Sequence, residues 1–403
     1  LRAELLYNYP GLANWHTIFP WLASDLTFLG ALLYMGIFKQ YEPLLLVPIG
    51  FGVLLANLPA AGLAVVEADM VLNPDGSLMN FAEIAANYGI INLLYYSLIK
   101  TGLLPPIIFM GVGALTDFGP MLRNLKLAFF GGAAQSGIFT VVILAVIMGY
   151  TLPEAASMGI IGGADGPTAI YTTIKLAPHL LGPIAIAAYS YMAMVPVIIP
   201  AVAKLLMKED EFKIHMRNMD KQFPPKYEIK HLRTVKILFP IVLTLVVSIL
   251  VPSSAPLIGM LMLGNLLKEI GANTARLADA ASGPIMNTAT IFLGLCVGAT
   301  MPAEVFLRWQ TIGILVLGLF AFAVSIAVGI IAVKIYNKSS KKKINPLVGA
   351  TGLSAVPMAS RVANDLALKY DKSNHILQYC MSSNVSGVIG SAVAAGVLIA
   401  FLG

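Results

Sequence analysis

Five long stretches of the chain contain no charged residue, and this limits the fold more than any other property of the sequence. Each reaches or exceeds the roughly 20 residues that a helix needs to cross the hydrocarbon core of a bilayer. They cover residues 43–66, 127–153, 237–267, 280–303 and 309–333. Charged residues make up only 11% of the chain. Because backbone groups in lipid must be hydrogen-bonded within the protein, we predict an all-α integral membrane protein.

Clusters of charged residues divide the chain between these stretches. We predict an interfacial segment at 1–21, a first transmembrane repeat at 22–203, a basic loop at 204–236 and a second transmembrane repeat at 237–403. Lys and Arg accumulate on the cytoplasmic side of membrane proteins. The basic loop and the lysine-rich stretch 334–343 should therefore lie inside, and the acidic stretch 63–87 should lie outside.

Short motifs of the first half recur in the same order in the second half. They are Glu-Pro-Leu-Leu-Leu at 42–46 with Ala-Pro-Leu-Ile at 255–258, Phe-Met-Gly-Val-Gly-Ala at 109–114 with Phe-Leu-Gly-Leu-Cys-Val-Gly-Ala at 292–299, and Gly-Ala-Asp-Gly at 163–166 with Gly-Ala-Thr-Gly at 349–352. The link with Arg123 and Lys126 should lie inside, whereas the corresponding link at 302–308 should lie outside. We therefore predict two inverted-topology repeats, with broken or re-entrant helices that meet near the bilayer midplane.

The stretch Gly-Ile-Ile-Gly-Gly-Ala-Asp-Gly-Pro-Thr at 159–168 places one carboxylate, Asp165, in apolar surroundings. Its glycines and Pro167 favour a break in the helix, which leaves free backbone carbonyls beside the acid. Secondary transporters hold cations at such breaks, and an acid within the bilayer is usually functional. The same residues are also compatible with a carboxylate that only caps the half-helix starting at Pro167.

The corresponding stretch of the second half, 345–361, contains neutral oxygen ligands and one cation. Asn345 and Ser354 offer side-chain oxygens, and Gly349 lies where the backbone should open. Hard cations prefer such oxygens. Arg361 ends the stretch and suits the binding of a carboxylate by its two-pronged guanidinium. A side chain that only extends toward the membrane surface is the alternative for Arg361.

Two further residues stand out by their apolar surroundings. Asn384 lies in Ser-Ser-Asn-Val-Ser-Gly-Val-Ile-Gly-Ser at 382–391, and Tyr191 lies in Tyr-Ser-Tyr-Met-Ala at 189–193. Asn384 suits a cation site, but it also suits a hydrogen bond between packed helices. Tyr191 suits proton transfer, but it also suits the aromatic belt at a membrane surface.

Three motifs together resemble the β subunit of the biotin-dependent, sodium-pumping decarboxylases. They are Gly-Gly-Ala-Asp-Gly-Pro-Thr-Ala-Ile-Tyr, Asn-Pro-Leu-Val-Gly-Ala-Thr-Gly-Leu-Ser-Ala-Val-Pro-Met-Ala-Ser-Arg-Val and Asn-Val-Ser-Gly-Val-Ile-Gly-Ser-Ala. These complexes act on oxaloacetate, methylmalonyl-CoA, glutaconyl-CoA or malonate. The resemblance implies a multi-pass protein of the bacterial inner membrane. It also implies that this subunit decarboxylates carboxybiotin and exports sodium while it consumes a proton.

The resemblance carries functional roles onto matching positions of this chain. The implied catalytic residues are Asp165, Tyr191 and Arg361. The implied sodium-binding residues are Asp165, Asn345, Gly349, Ser354 and Asn384, with Na⁺ itself on Asp165, Asn345 and Asn384. Carboxybiotin would lie against Arg361 and Ser354.

The cofactors and partners are those that the resemblance implies, with Na⁺ as the transported ion. The sequence has no Met-Lys-Met site for covalent biotin, so we expect the biotin on a partner chain. The resemblance implies a carboxyltransferase α subunit, a biotin carrier protein or domain, a small single-span membrane subunit, and an oligomer of the β subunit in the lipid bilayer. The basic residues flank membrane segments, so no nucleic-acid partner is expected.

Other functions compete with this hypothesis. No GxxxxGK[ST] loop is present, which argues against an ATP-driven pump. The main alternative is a gradient-driven sodium-coupled symporter or antiporter of an organic anion, because a fold alone does not determine a function. A membrane scaffold without transport would leave Asp165 in the bilayer without a role.

Overall fold

The structure is a computed structural model. It describes residues 30, 32–40, 42–58, 61–73, 75–222, 231–301 and 309–403. The predicted interfacial segment at 1–21 and the link at 302–308 lie outside these residues. Every regular element among the described residues is a helix, and the lone backbone bridge, between Leu72 and Leu78, belongs to no strand. The prediction of an all-α protein is confirmed.

The helices are numbered in chain order. Those before the basic loop are α1 (Pro43–Ala56), α2 (Phe81–Leu94), α3 (Leu104–Leu115), α4 (Gly119–Arg123), α5 (Leu125–Ala134), α6 (Ser136–Ile147), α7 (Leu152–Gly159), α8 (Gly166–Leu176), α9 (Leu181–Ala193) and α10 (Val195–Leu206). Within the loop lie α11 (Glu209–Phe212) and α12 (Met216–Gln222). The rest are α13 (Leu232–Leu250), α14 (Ala255–Ile270), α15 (Ala275–Ala280), α16 (Met286–Ala299), α17 (Trp309–Ser339), α18 (Leu347–Ala350), α19 (Met358–Tyr370) and α20 (Leu377–Leu402). Helix α13 therefore begins within the stretch predicted as loop.

Several helices are long and apolar enough to cross a membrane. Five such spans occur among the described residues, at Leu125–Ile147, Leu232–Leu250, Ala275–Ala299, Thr311–Ser339 and Leu377–Leu402. Two further spans are formed by bent pairs, Phe81–Ile99 with Leu104–Leu115 at 68° and Pro178–Ala193 with Val195–Leu206 at 67°. Proline lies in the first turn of the second helix of each bent pair, where its missing N–H does not interrupt the ladder. The membrane-spanning prediction is supported by these lengths.

Helices of the two halves cross each other at glycines. Helix α1 packs on α16, and α3 packs on α14. A Cβ atom on Gly113 of α3 would lie 1.9 Å from the carbonyl oxygen of Leu261, and one on Gly264 of α14 would lie 1.9 Å from that of Met110. Only glycine permits this approach. A Cβ on Gly52 of α1 would similarly lie 2.2 Å from a backbone oxygen of α16.

Ion pairs join the loops that were predicted to be cytoplasmic. Lys334 Nζ lies 3.1 Å from Glu211 Oε2, and Lys342 Nζ lies 2.5 Å from Asp220 Oδ1. These contacts bring the lysine-rich stretch 334–343 against the basic loop, as expected if both lie on one side of the membrane.

A second set of ion pairs joins three helix ends. Lys236 at the start of α13 lies 2.8 Å from Asp117, which follows α3, and 2.9 Å from Glu269 at the end of α14. Partial burial alone would raise the pKa of the Asp117 carboxyl, but its bonds with Lys236 and the Gly119 amide hold that pKa below its usual value. Asp117 is therefore charged at neutral pH and attracts Lys236.

Helices α7 and α8 form a first hairpin, and α18 and α19 form a second. The ends of the first hairpin meet because His179 Nε2, after α8, lies 2.9 Å from Glu154 Oε1 in α7. The ends of the second meet on α11, because the side-chain amides of Asn345 and Asn374 both donate to the carbonyl oxygen of Phe212, over 3.0 and 3.1 Å. Each hairpin therefore enters the bundle and returns to the end from which it came.

Candidate functional site

The tips of the two hairpins meet inside the bundle. The first tip is the stretch 160–165 and the second is 351–357. The Ser354 amide donates to the carbonyl oxygen of Gly163 over 2.9 Å, which joins the tips directly. Ala164 has left-handed backbone angles (φ 56°, ψ 43°), a strained conformation for a residue with a side chain. This turn ends the first half-helix and lets α8 start at Gly166.

Asp165 is the central residue of this junction, and only 5% of it is exposed. Its Oδ1 accepts from the Thr168 amide over 3.2 Å, so the carboxylate does cap α8. Its Oδ2 accepts from Ser354 Oγ over 2.7 Å and from Ser391 Oγ over 2.8 Å. The acid thus contacts the other tip and α20. Among the described residues, no basic side chain pairs with it, so its negative charge lacks a cationic partner.

Asn384 of α20 lies beside the second tip. Its side-chain nitrogen donates to the carbonyl oxygen of Leu353, and Ser360 Oγ donates to its Oδ1 over 3.3 Å. Asn384 is fully buried. The structure therefore brings together three of the residues predicted for sodium, Asp165, Ser354 and Asn384.

Gly349 lies in α18 at a close helix crossing. A Cβ atom there would lie 2.0 Å from the carbonyl oxygen of Gly329 in α17. Its own carbonyl accepts from the Gly352 amide over 3.1 Å. Gly349 thus permits close packing beneath the second tip, and its sodium-binding role stays a prediction.

Asn345 lies at the base of the second hairpin and not at its tip. Its side-chain nitrogen donates to the carbonyl oxygens of Phe212 and Ile214, and its Oδ1 accepts from the Leu347 amide over 3.1 Å. No contact joins Asn345 with Asp165. The prediction that both hold one sodium ion is therefore without support from this geometry.

Arg361 lies in the first turn of α19, just after the second tip, and it is exposed. Within the described part of the chain, its guanidinium makes no hydrogen bond or ion pair. Its five N–H donors are thus available to an anionic group. The start of a helix also attracts negative charge, which favours an anion at this point.

The oxygens at the junction suit an alkali cation better than a transition metal. No group of three or more His, Cys, Asp or Glu side chains suitable for a metal occurs among the described residues. The junction offers one carboxylate together with hydroxyl, amide and backbone oxygens. Sodium is a hard cation with a single charge, so it suits hard oxygen ligands grouped around one carboxylate.

Comparison with known proteins identifies the family. The profile described as Na⁺-transporting oxaloacetate decarboxylase beta subunit matches residues 25–402. The chain is 50% identical over 375 residues to the methylmalonyl-CoA decarboxylase subunit beta of Propionigenium modestum, with 92% of each chain covered. It is 47% identical over 416 residues to the oxaloacetate decarboxylase beta chain of Haemophilus ducreyi, again with 92% of each covered. It is 46% identical over 390 residues to the glutaconyl-CoA decarboxylase subunit beta of Acidaminococcus fermentans, covering 96% and 94%.

The chain belongs to this family of beta subunits. It is thus a membrane subunit that couples decarboxylation to sodium transport. The resemblance inferred from the three motifs is confirmed.

Tyr191 and Tyr189 of the beta subunit face different neighbours. Tyr191 Oη donates to the carbonyl oxygen of Leu315 in α17 and does not contact Asp165. Tyr189 packs instead on the start of α8, next to Asp165, because a Cβ on Gly166 would lie 2.0 Å from its ring. The Tyr189 hydroxyl is buried and has no hydrogen-bond partner among the described residues. Positions two apart on a helix differ by about 200° in direction, so the two tyrosines point to different sides of α9.

Sequence reasoning missed two polar residues that hold the tips of the beta subunit. Ser325 Oγ of α17 donates to the carbonyl oxygen of Gly162 over 2.8 Å, and Gln135 Nε2, between α5 and α6, donates to that of Gly352 over 3.0 Å. Each half thus supports the tip of the other half. Each lies as a polar side chain within a long apolar run, and such side chains usually form hydrogen bonds between helices. That pattern could have identified them.

Proposed function

We propose that this beta subunit decarboxylates carboxybiotin delivered by a partner chain, exports sodium and consumes a proton. The observation that supports this most is the Asp165 carboxylate, which is buried at the junction of the tips and, among the described residues, accepts hydrogen bonds from neutral donors alone. A buried carboxylate without a cationic partner is costly as an anion, so it favours either a bound cation or a proton. Transport supplies that cation as cargo.

We also propose that the two halves are inverted repeats. The first hairpin has its ends at Glu154 and His179, and the second has its ends on α11 of the basic loop. Helices α5 and α6 run from the Arg123 and Lys126 link to Ile147, next to the first hairpin. The first hairpin thus enters from the side opposite the basic loop, which matches an inverted pair.

The helix crossings support the same symmetry. The motif echoes pair α1 with α14 and α3 with α16. An inverted repeat would therefore convert the contact of α1 with α16 into a contact of α14 with α3. Both contacts occur, and both depend on glycine. In an inverted repeat the two tips meet at the symmetry axis near the middle of the membrane. A site there can open first to one side of the membrane and then to the other.

For sodium, we propose that Asp165 supplies the charge and that Ser354 and Asn384 lie within reach as neutral ligands. Asn345 and Gly349 would act from farther along the second hairpin. Sodium loses part of its water on entering such a site, and the carboxylate offsets that loss.

For carboxybiotin, we propose that Arg361 orients the carboxylate and that Ser354 lies at the same place. Removing CO₂ breaks the bond between the carboxyl carbon and a ring nitrogen, and that nitrogen then requires one proton. Asp165 or Tyr191 would transfer this proton as a general acid. Since Ser354 donates to Asp165, the substrate and sodium sites share one hydroxyl. Sodium and a proton would then compete for one carboxylate, which couples the two processes.

The proposal includes the partners and the membrane. Carboxybiotin would arrive on a biotin carrier protein or domain, after transfer by a carboxyltransferase α subunit. A small single-span subunit and further copies of the beta subunit would complete the complex in the bacterial inner membrane. The exposed apolar residues along α13, such as Ile249 and Leu250, fit contact with lipid.

The test uses the complex reconstituted in sealed vesicles. We expect uptake of radioactive sodium when decarboxylation starts without any imposed ion gradient, because decarboxylation supplies the free energy. Uptake that requires a gradient and ignores decarboxylation would favour the alternative, a gradient-driven symporter or antiporter of an organic anion. The Asp165→Asn variant serves as the inactive control.

A further inference from the structure

Gln135 occupies the one-residue interruption between α5 and α6, and only 6% of it is exposed. Its side-chain nitrogen donates to the carbonyl oxygen of Gly352 over 3.0 Å and faces that of Gly131 at 3.4 Å. Because both neighbours are hydrogen-bond acceptors, the amide atom that faces them must be the nitrogen. The orientation of the amide is thus fixed by its surroundings.

The other amide atom, Gln135 Oε1, has no partner within the described part of the chain, although it is buried. An amide oxygen buried without a donor costs free energy, so the bundle should hold a group that satisfies it. The surrounding residues show what kind of group fits.

Gln135 Oε1 lies against the residues that hold Asp165. It is 3.3 Å from the point where a Cβ on Gly163 would stand, and the Cβ of Ser391 is 3.1 Å from the same point. Ser391 Oγ has one hydrogen, for which Asp165 Oδ2 and the Val388 carbonyl are both within reach, so its oxygen lone pairs are free. The nearby polar atoms are therefore mostly acceptors, and a cation among them would be a ligand that all of them can share.

We propose that Gln135 Oε1 is a ligand of the transported sodium ion, in a site completed by Ser391 and Asp165. This assignment rests on the proposed function, because it takes sodium as the ion at the junction. Gln135 connects both tips: it holds the second through Gly352 and offers its oxygen to the first beside Gly163. A sodium ion bound to this oxygen would hold the α5–α6 segment of the first half against the junction of the two tips.

An unpartnered amide oxygen alone would not be sufficient. Asn265 of α14 is also buried, donates to the carbonyl oxygen of Thr116 over 2.9 Å and has a free Oδ1, yet it lies at the crossing of α3 and α14. The position of Gln135 beside Ser391 and Gly163 distinguishes it. Asn265 therefore provides a matched control.

The test measures the melting temperature of the purified full-length chain as sodium replaces choline at constant ionic strength. A ligand that binds only the folded state stabilises it by RT ln(1 + [L]/Kd). Fitting the rise in melting temperature against sodium concentration therefore gives Kd, the sodium concentration that half-saturates the site. Gln135→Met keeps the length and loses both polar atoms. We expect it to raise the half-saturating sodium concentration roughly ten- to a hundredfold, as for the loss of one ligand to a charged group.

Gln135→Glu distinguishes the role of the side-chain oxygen from that of the side-chain nitrogen. It keeps an oxygen near the Oε1 position and loses the donor to Gly352, so we expect the half-saturating sodium concentration to stay equal or to fall. Asn265→Met should lower the melting temperature without moving that concentration. If Gln135→Glu raises it as much as Gln135→Met, the donor to Gly352 matters and the proposal is overturned. If Gln135→Met does not fold, Gln135→Glu decides alone: an equal or lower half-saturating sodium concentration supports the proposal, and a higher one overturns it.

The sodium response of the wild type distinguishes a failure of the Gln135 assignment from a failure of the proposed function. If sodium stabilises the wild type specifically and Gln135→Met gives the same sodium Kd as the wild type, the role of Gln135 is overturned and the proposed function stays intact. Absence of any sodium-specific stabilisation of the wild type contradicts a sodium site at the junction and with it both proposals.

Discussion

The Ser354 hydroxyl donates a 2.7 Å hydrogen bond to the Asp165 carboxylate, across the junction of two hairpins from different halves of the chain. The bond joins the residue proposed to hold sodium to a residue proposed to meet the substrate. Sodium at Asp165 would weaken this bond, because the carboxylate would share its lone pairs with the ion. In the proposed mechanism, occupancy of the site would therefore change the hold of one hairpin on the other.

Asp165→Asn should keep the fold and abolish sodium-stimulated decarboxylation. Asparagine caps a helix about as well as aspartate does, but it cannot offset the dehydration of sodium with a charge. The measurement is carboxybiotin decarboxylation over a sodium titration, with Asp371→Asn as the matched control. Asp371 lies outside the junction, and hydrogen bonds from Ser373 lower the pKa of its carboxyl. Near wild-type sodium-dependent turnover of Asp165→Asn would remove its assigned role.

Ser354→Ala should raise the sodium concentration for half-maximal decarboxylation. It removes an oxygen proposed as a sodium ligand, and one lost ligand to a charged group corresponds to a roughly ten- to a hundredfold weaker affinity for sodium. Ser386→Ala is the control, since Ser386 Oγ donates to the carbonyl oxygen of Ala128 over 2.7 Å, away from Asp165. Equal sodium midpoints for the two variants would show that the Ser354 hydroxyl has no part in sodium binding.

Asn345 and Asn374 form a matched pair at the base of the second hairpin, because both side chains donate to the carbonyl oxygens of Phe212 and Ile214. Each change to alanine should lower the free energy of unfolding by about 1–3 kcal/mol, because it removes two hydrogen bonds of about 0.5–1.5 kcal/mol each. Thermal unfolding in detergent measures this. The sequence-based sodium role of Asn345 further requires that Asn345→Ala, unlike Asn374→Ala, raises the sodium midpoint of decarboxylation.

The sequence was sufficient to predict the contact of Asp165 with the segment of Ser354, but not the residues that surround this contact. Glycines and Pro167 located the first break, and the motif echo located the second, so the meeting of Asp165 with the segment of Ser354 was predictable. The choice between Tyr189 and Tyr191 was not. Their helix is largely apolar, so no polar face shows which tyrosine lies against Gly166 and which against α17.

The base of the second hairpin shows another limit. Asn345 resembles a tip residue in sequence, because it precedes a glycine-rich break. Its position depends on the contact of the hairpin with α11, a helix separated from it by more than 100 residues of chain. Local pattern contains no information about such a long-range contact. Gln135 was missed for a similar reason, since one glutamine in an apolar run can bond to any neighbouring helix.

Arg361→Lys should raise the carboxybiotin concentration for half-maximal rate and leave the sodium midpoint unchanged. Lysine keeps the charge but loses the two parallel donors that fit a carboxylate. The expected change is roughly tenfold, typical for one lost charge-assisted bond. Arg276→Lys is the control, because Arg276 is also exposed on a helix and lies outside the junction. A sodium midpoint shifted as far as in Ser354→Ala would mean that Arg361 is not a separate carboxylate site.

Cysteine labelling tests the inverted topology. The native cysteines Cys296 and Cys380 are buried and should react slowly. Asp75→Cys lies in the acidic stretch and Lys221→Cys in the basic loop, and both positions are exposed. By the positive-inside rule, an impermeant thiol reagent added to intact cells should label only the cysteine at 75, and the cysteine at 221 should react after the membrane is opened. Labelling of both positions from the same side would contradict the opposite entry of the two hairpins, and with it the inverted repeat.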